Sequence, residues 1–242
     1  MVLLHTRQWP SQTNVLARSC EGIFYSVFKR LMDVMLSSLL LILCLPMLLV
    51  IALLIKLDSP GPAIFKHERV GAKRRRLWGD VVWVMRNFTM YKFRTMIQKA
   101  DSSAHESYIR AFVNGTTPSS DSSSARFKLT NDPRVTRIGR ILRRTSLDEL
   151  PQLVNVLKGD MSLVGPRPVP PYEVACYRNG DHQRLAALPG ITGLWQVKGR
   201  CQVPFEKMIE MDLEYIRKAS LWLDLKILLW TIPAVLSQRG AE

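Results

Sequence analysis

The sequence predicts an α+β fold that is predominantly helical and is anchored in one leaflet of a membrane. An apolar run without charged residues, about 22 residues long, lies between Asp33 and Lys56. Strand-like stretches follow it, and most of the later regular segments repeat apolar residues with the helical period. The 34 basic and 20 acidic residues among 242 give a net charge of +14. Such an excess indicates an anionic partner, such as nucleic acid, an acidic leaflet or a phosphorylated substrate.

The apolar run is predicted to form a membrane segment over 28–57. Its length would suffice to cross a bilayer, but Pro46 near its middle removes a backbone hydrogen bond and bends a helix. Basic residues lie on both sides, with Lys29 and Arg30 before the run and a cluster at Lys73–Arg76 after it. Basic flanks prefer the cytoplasmic face, and a spanning helix satisfies only one of them. We therefore favour a re-entrant helix-break-helix, broken at Pro46, over a single-pass anchor or a buried core helix.

The segments on either side of this run differ in character. Residues 1–27 are polar and mixed, and they are predicted to be a weakly ordered extension. Residues 58–242 form the remaining domain, which begins with strand-like stretches at Val81–Met85 and Met90–Phe93. Helical character follows at Ile97–Phe112.

The middle of this domain combines a loop with a basic helix. Residues 114–125 are rich in Ser, Thr and Gly, which predicts a mobile surface loop. Pro133 is a natural first residue of the next helix. Within that helix Arg137, Arg140 and Arg144 share one face, and the apolar residues lie on the opposite face.

The last third of the chain is predicted to contain a short strand and two helices. Leu194–Val197 has strand-like composition, and Phe205–Ser220 has a helical period. Residues 221–236 are strongly apolar but include Asp224 and Lys226, which a membrane span tolerates poorly. An amphipathic helix in the headgroup plane, with tryptophans at the interface, fits this composition better.

Two adjacent carboxylates, Asp148 and Glu149, are the strongest candidates for chemistry. They lie at the predicted first turn of a helix and follow several arginines. Acids among fixed positive charges stay ionised and can hold a divalent cation, while guanidiniums bind phosphate oxygens in bidentate fashion. A capping box, with Ser146 as N-cap and Glu149 three residues later, explains the same acids without chemistry. On spacing alone both interpretations stay open.

The cysteines and histidines predict no metal site of their own. The four cysteines are far apart and form no CxxC pair, so a zinc site or a disulfide framework is not expected. The four histidines show no ligand spacing.

Four ordered motifs resemble the bacterial sugar transferase family, the monotopic polyprenyl-phosphate phosphoglycosyl transferases. They are KR-x-x-D at Lys29–Asp33, YKFRTM at Tyr91–Met96, TSLDELPQLVNVLKGDMSLVGPRP at Thr145–Pro168 and PGITGLWQVKGR at Pro189–Arg200. The resemblance extends over about 28–236 and is to the minimal catalytic form. The stretch 74–87 is longer than is usual in the family, which predicts an enlarged hairpin.

The resemblance implies a re-entrant membrane helix, interfacial helices and a small cytosolic catalytic part at the bacterial inner membrane. It also implies transfer of a sugar 1-phosphate from a nucleotide diphosphate sugar, with uridine as the expected nucleotide, to undecaprenyl phosphate. Such a step initiates exopolysaccharide, O-antigen and related glycan assembly. In this family Asp148 would be the nucleophile that forms a covalent phosphosugar intermediate, and Glu149 would help Asp148 to hold Mg²⁺.

Further groups are expected to bind the substrates or the membrane. The candidates for the substrate and its phosphates are Arg143, Arg167, Lys92, Arg94, Gln196 and Arg200. Inner-leaflet anionic lipids are an expected partner of the basic surface, and a homodimer is one option for the oligomeric state. The membrane bend and anchor are assigned to Lys29, Arg30 and Pro46.

Two other function classes compete with this one. A membrane-tethered nucleic-acid-binding protein would explain the charge, but the sequence has no zinc-finger, RNP-like or helix-turn-helix pattern, so nucleic acid is not an expected partner. A catalytically idle scaffold at the membrane would explain the apolar run and leave Asp148 and Glu149 without a purpose.

Overall fold

The structure is a computed structural model that describes residues 15–18, 22–77, 80–98, 103–114, 132–178, 180–199 and 203–237. In chain order its elements are β1 (Val15–Arg18), α1 (Ile23–Asp58), β2 (Ile64–Leu77), β3 (Asp80–Phe93), α2 (Ser103–Val113), α3 (Arg137–Thr145), α4 (Gln152–Lys158), β4 (Ser162–Val164), α5 (Pro171–Val174), β5 (Gly190–Thr192), α6 (Leu194–Lys198), α7 (Phe205–Lys218) and α8 (Leu221–Leu236). Most of the regular structure is helical and the sheets are small. The predicted α+β, predominantly helical class is therefore confirmed.

The apolar run forms α1, a single helix of 36 residues. It is long and apolar enough to cross a membrane by length and composition, and only 11% of its most apolar window is buried within the protein. Pro46 lies inside the helix, so the helical backbone continues through the position at which we predicted a break. The re-entrant path through one leaflet stays a prediction.

Contacts with the rest of the protein hold α1 at both ends. Near its start, the backbone N–H of Leu163 donates to Asp33 Oδ1 over 3.0 Å. Near its end, Ile51 and Ile55 are buried in an apolar cluster with Phe93. Between these attachments the side chains of 39–50 are mostly exposed. The apolar middle of α1 is therefore largely exposed.

A long antiparallel hairpin follows α1. The strands β2 and β3 have 14 residues each, and their pairing runs from Ile64 opposite Phe93 to Leu77 opposite Asp80. The hairpin predicted for 74–87 is therefore present, and its enlargement relative to the family stays a prediction. β1 pairs with the other edge of β3, so the predicted extension over 1–27 contains one strand and the first residues of α1. Residues 1–14 and 19–21 lie outside the described residues.

The main core lies between α4, the middle of β3 and the C-terminal helices. Apolar side chains from all of these elements form one cluster, which includes Phe88, Met90, Leu153, Val156, Met161, Leu163, Val164, Leu194, Tyr215 and Ile227. The parallel pair β4 and β5 contributes to this core. A separate cluster joins α2, α6 and α7.

The remaining predictions of secondary structure are confirmed at the C-terminus and corrected elsewhere. α7 and α8 occupy the two predicted helical segments. The helix predicted from Pro133 begins only at Arg137, because Thr136 is its N-cap and accepts a hydrogen bond from Gly139 N over 3.0 Å. The strand predicted at 194–197 was wrong, since these residues form α6. Of the predicted mobile loop, 115–125 lie outside the described residues.

Candidate active site

The acid pair lies in a tight connection between α3 and α4. Ser146 has a left-handed backbone, with φ 58° and ψ 15°, and its N–H caps the carboxyl end of α3. A single 3₁₀ turn, Leu147–Glu149, then carries both acids, and α4 begins only at Gln152. The alternative of a capping box is therefore wrong, because the Ser146 side chain makes no capping hydrogen bond. The capping box therefore does not explain the two adjacent acids at this position.

Lys92, near the end of β3, contacts both acids. Its Nζ lies 2.7 Å from Glu149 Oε1 and 3.9 Å from Asp148 Oδ2. The side chains of Asp148 and Lys92 are 12% and 16% exposed, and that of Glu149 is 24% exposed. Charge pairs that are this shielded from water interact more strongly than surface pairs. The structure thus brings together three residues that the sequence predicted for the site.

Asn155 fixes the distance between the acids and Lys92. It is completely buried on α4 and reaches the open edge of β3. Its Oδ1 accepts from Tyr91 N over 3.0 Å, and its Nδ2 donates to Thr89 O over 2.7 Å. Because these bonds replace the strand partner that β3 lacks there, they lock α4 in register with the residue before Lys92.

Arg143 approaches the acids from α3. Its Nε donates to Thr95 Oγ1 over 3.0 Å. Burial lowers the pKa of Arg143, and the negative charge of the nearby Asp148 acts in the opposite direction. The position predicted for Arg143 beside the acid pair is consistent with this electrostatic contact.

A cation-lined pocket opens beside Glu149 and Lys92. Its walls also include two arginines and two glutamines, namely Arg69, Arg167, Gln152 and Gln196. Met90, Pro168, Gly190 and Ile191 complete the lining. The pocket therefore collects predicted residues from β3, from the turn after β4 and from α6 around one of the two acids.

Arg69 is a member of this pocket that no sequence pattern indicated. Its side chain is buried, and its Nε has no hydrogen-bond partner among the described residues. Burial, followed by the positive charge of Arg167, lowers the pKa of Arg69 to about 10. Arg69 remains protonated at neutral pH, so the pocket concentrates positive charge that an anionic ligand would neutralise. The alternation of polar and apolar residues along β2 would not have shown that Arg69, unlike the other cations of this strand, lines the pocket.

Two glycines allow the turn with Arg167 to reach the pocket. A Cβ on Gly165 would lie 2.2 Å from Leu188 O, and one on Gly190 would lie 2.1 Å from Gly165 N. Only glycine permits such an approach of two backbones. The contact joins the turn after β4 to β5, and so it brings Arg167 close to Gln196.

Gln196 presents an acceptor to the pocket. Its Nε2 donates to Ile191 O over 3.1 Å, which orients the amide. Its Oε1 is buried and has no hydrogen-bond partner in the part of the chain that the structure describes. A buried acceptor of this kind favours a ligand with a hydroxyl or N–H donor.

Three predicted residues have other partners. Arg94 donates to the carbonyl oxygens of Pro60, Ser59 and Ile55, at the end of α1, so the structure does not bring it to the acids. Arg30 donates to Val156 O and Leu157 O over 2.6 and 2.7 Å, at the end of α4. Lys29 Nζ lies 2.8 Å from Asp224 Oδ2 on α8.

Lys29 and Arg30 therefore attach α1 to the rest of the protein, and their assignment to the membrane anchor stays a prediction. Arg200, another predicted residue, lies outside the described residues.

The acids also fit a magnesium ion, although no larger metal-binding cluster accompanies them. Within the described ranges no group of three His, Cys, Asp or Glu side chains converges. Mg²⁺ is commonly held by one or two carboxylates together with substrate phosphates and water. Asp148 and Glu149, next to a pocket suited to an anion, match that donor set.

Residues 24–238 match the model of a family described as bacterial sugar transferase. The chain belongs to this family. The resemblance inferred from the four motifs is therefore confirmed, and the site lies within the matched residues.

Several curated relatives are similar to this sugar transferase. It is 39% identical over 213 residues to the exopolysaccharide production protein ExoY of Rhizobium meliloti, covering 88% of this chain and 87% of that protein. It is 39% identical over 230 residues to the undecaprenyl-phosphate galactose phosphotransferase of Salmonella typhimurium, covering 95% of this chain and 44% of that protein. It is also 38% identical over 214 residues to the UDP-glucose:undecaprenyl-phosphate glucose-1-phosphate transferase of Escherichia coli, covering 85% of this chain and 39% of that protein. The chain thus spans less than half the length of the last two.

Proposed function

We propose that this protein transfers a sugar 1-phosphate from a UDP-sugar to undecaprenyl phosphate, as the first membrane step of exopolysaccharide or related glycan assembly. The observation that carries the proposal is the acid pair Asp148 and Glu149, held by Lys92 at the edge of a pocket that contains Arg69 and Arg167. The names of the Salmonella and E. coli relatives support the donor and acceptor classes.

In the first step Asp148 acts as the nucleophile. One carboxylate oxygen attacks the phosphorus that carries the sugar, and the bond from this phosphorus to the bridging oxygen breaks. UMP leaves with the bridging oxygen and its electron pair, and the sugar phosphate stays on Asp148 as an acyl phosphate. A covalent intermediate divides one difficult transfer into two easier ones. Nucleotide and lipid then need not occupy the site together.

In the second step a phosphate oxygen of undecaprenyl phosphate attacks the same phosphorus. The bond to Asp148 breaks, the carboxylate is restored, and undecaprenyl diphosphate sugar is released. Both steps spread negative charge over the phosphoryl oxygens, and this kind of reaction depends mainly on positioning and charge neutralisation. Lys92, Arg143, Arg69 and Arg167 are placed to supply that neutralisation.

Glu149 and Asp148 would hold the Mg²⁺ that we infer for the reaction. When bound, the ion would neutralise phosphate charge during the transfer. Lys92 keeps Glu149 in a fixed position through its 2.7 Å ion pair. Gln196 Oε1 is suited to accept a hydrogen bond from the sugar or the uracil, since it is buried and no described residue donates to it.

A membrane position for the site follows from α1 and α8. We infer that α1 enters and leaves the cytoplasmic leaflet of the inner membrane, because its two ends are attached to the protein and its apolar middle is exposed. α8 exposes Trp222, Leu229 and Ile232, which suits a helix at the membrane interface. The acceptor phosphate lies at headgroup level, and a site anchored there can reach it.

Release of UMP from UDP-sugars tests the proposal. The purified protein in detergent with polyprenyl phosphate and Mg²⁺ is expected to release UMP with at least one member of a panel of UDP-hexoses. Asp148→Asn should abolish release, whereas Asp160→Asn, which removes an acid that follows the end of α4 and pairs with Arg86, should retain it. No UMP release with any donor, or full activity of Asp148→Asn, would contradict the proposal.

A further inference from the structure

A second cation-rich surface lies along the same hairpin, away from the pocket. Four consecutive basic residues, Lys73–Arg76, form the outer part of β2, and we name them the basic tip. Arg69 and Arg76 are about 23 Å apart along the strand, at about 3.3 Å per residue. Lys73, Arg75 and Arg76 are exposed, and none of them forms an ion pair with another described residue.

The basic tip lies beside the start of the membrane helix. The guanidinium of Arg74 donates to Ser26 Oγ in the first turns of α1. Around Ser26, α1 exposes Phe24, Val27 and Phe28, which are 78%, 50% and 54% exposed. The exposed apolar surface of α1 therefore begins at the level of the basic tip, and this level corresponds to lipid headgroups if α1 is embedded.

The pattern of charges exceeds what the sheet itself requires. Neighbouring side chains of a strand point to opposite faces, so four consecutive cations place charge on both faces of β2. β2 is an edge strand of its sheet, and charged side chains such as lysine commonly protect such edges from aggregation. Three exposed cations without ion pairs concentrate more positive charge than this protection needs.

We propose that the basic tip binds the phosphates of anionic phospholipids in the leaflet that holds α1. Cations within a Debye length of an acidic leaflet are attracted to it. The same hairpin supplies Arg69 and Lys92 at its other end, so lipid binding at the tip would hold the pocket at a fixed height above the membrane. The inference rests on the membrane placement of α1 and does not depend on the transfer chemistry.

Native mass spectrometry of the full chain in detergent tests the binding directly. Phosphatidylglycerol and phosphatidylcholine are titrated separately, and bound lipid is counted. If each cation strengthens binding to the anionic lipid about fivefold, three cations allow a preference for phosphatidylglycerol of up to about a hundredfold. We expect at least about a tenfold preference, which 0.5 M NaCl should largely remove because it shortens the Debye length. Equal retention of both lipids by the native chain would overturn the proposal.

A triple variant identifies the residues responsible. Lys73→Gln with Arg75→Gln and Arg76→Gln should lose the preference for phosphatidylglycerol. The matched control, Arg110→Gln with Arg178→Gln and Lys207→Gln, removes the same charge from exposed positions that lie on neither α1 nor β2, and it should keep the preference. A preference that survives in the first variant, or is lost equally in the control, would overturn the proposal. Thermal unfolding of both variants checks that they are folded.

Turnover in nanodiscs gives a second readout. UMP release by the native chain and by the control should increase when phosphatidylglycerol replaces part of the phosphatidylcholine, whereas the tip variant should respond weakly. In pure phosphatidylcholine all three proteins should have the same rate. An equal response of the tip variant would contradict the proposed role. If none of the proteins releases UMP, the proposed function fails. The number of lipids bound in native mass spectrometry still decides whether the basic tip binds anionic lipid.

Discussion

Replacing Lys92 by glutamine removes the positive charge that the two acids share. At 3.9 Å and an effective dielectric constant of about 20, the attraction between Lys92 and Asp148 is about 4 kcal/mol, and at 2.7 Å the attraction to Glu149 is about 6 kcal/mol. Desolvation offsets most of this gain. Removal of one partner from a buried pair costs about 3–5 kcal/mol. Since these side chains are 12% to 24% exposed, we expect a loss near the lower end, about 3 kcal/mol.

The same substitution should slow the reaction. Loss of one charge that stabilises a developing oxyanion commonly lowers kcat by about 10² to 10³. We therefore expect Lys92→Gln to reduce kcat for UMP release by about a hundredfold, with a lower unfolding midpoint in the same detergent. Lys66→Gln is the matched control, because Lys66 is an exposed cation on the neighbouring strand, opposite Tyr91. It should change neither quantity.

The result that refutes this reasoning is a Lys92→Gln protein with native kcat and native stability. Such a protein would mean that the ion pairs with Asp148 and Glu149 contribute to neither folding nor catalysis. A loss of stability without a loss of kcat would limit Lys92 to a structural role.

The other predictions concern the supports of the site. Asn155→Ala should cost about 2–3 kcal/mol of unfolding free energy, because Tyr91 N and Thr89 O lose their partners, and denaturant titration checks this. Gly165→Ala should impair UMP release, because its Cβ would meet Leu188 O at 2.2 Å, whereas Gly22→Ala, with nothing within 4 Å, should be active. Lys29→Met should destabilise the fold by about 3–5 kcal/mol, since Asp224 stays buried without its cation. Added substitution of Asp224 by leucine should restore part of that loss, and a double variant less stable than Lys29→Met would contradict this explanation.

Local patterns in the sequence predicted the elements that depend on local interactions. The long apolar helix and the two C-terminal helices follow from runs and periods of apolar residues. Asp148 and Glu149 could be identified because two adjacent acids among arginines stay ionised and can hold a divalent cation. Their partner Lys92 was named from a motif 57 residues away, and the structure places it at hydrogen-bond distance from Glu149.

Predictions from local sequence patterns were wrong where contacts between distant residues decide the conformation. Ser146 was interpreted as an N-cap, but its left-handed backbone ends α3 and delays the next helix to Gln152. Arg94 was assigned to phosphate, yet its guanidinium is used by carbonyl groups 34 to 39 residues away. The partner of Lys29 is 195 residues away on α8, and no periodicity could indicate it.

Intact-protein and peptide mass spectrometry after mixing the purified enzyme with UDP-sugar, without any lipid acceptor, tests the nucleophilic role of Asp148 most directly. We predict a mass increase of one sugar phosphate, located on the peptide that contains Asp148, together with one equivalent of UMP. Addition of polyprenyl phosphate should remove the adduct. UMP formation that occurs only when the lipid acceptor is present, with no adduct on Asp148 at any time, would contradict the covalent mechanism.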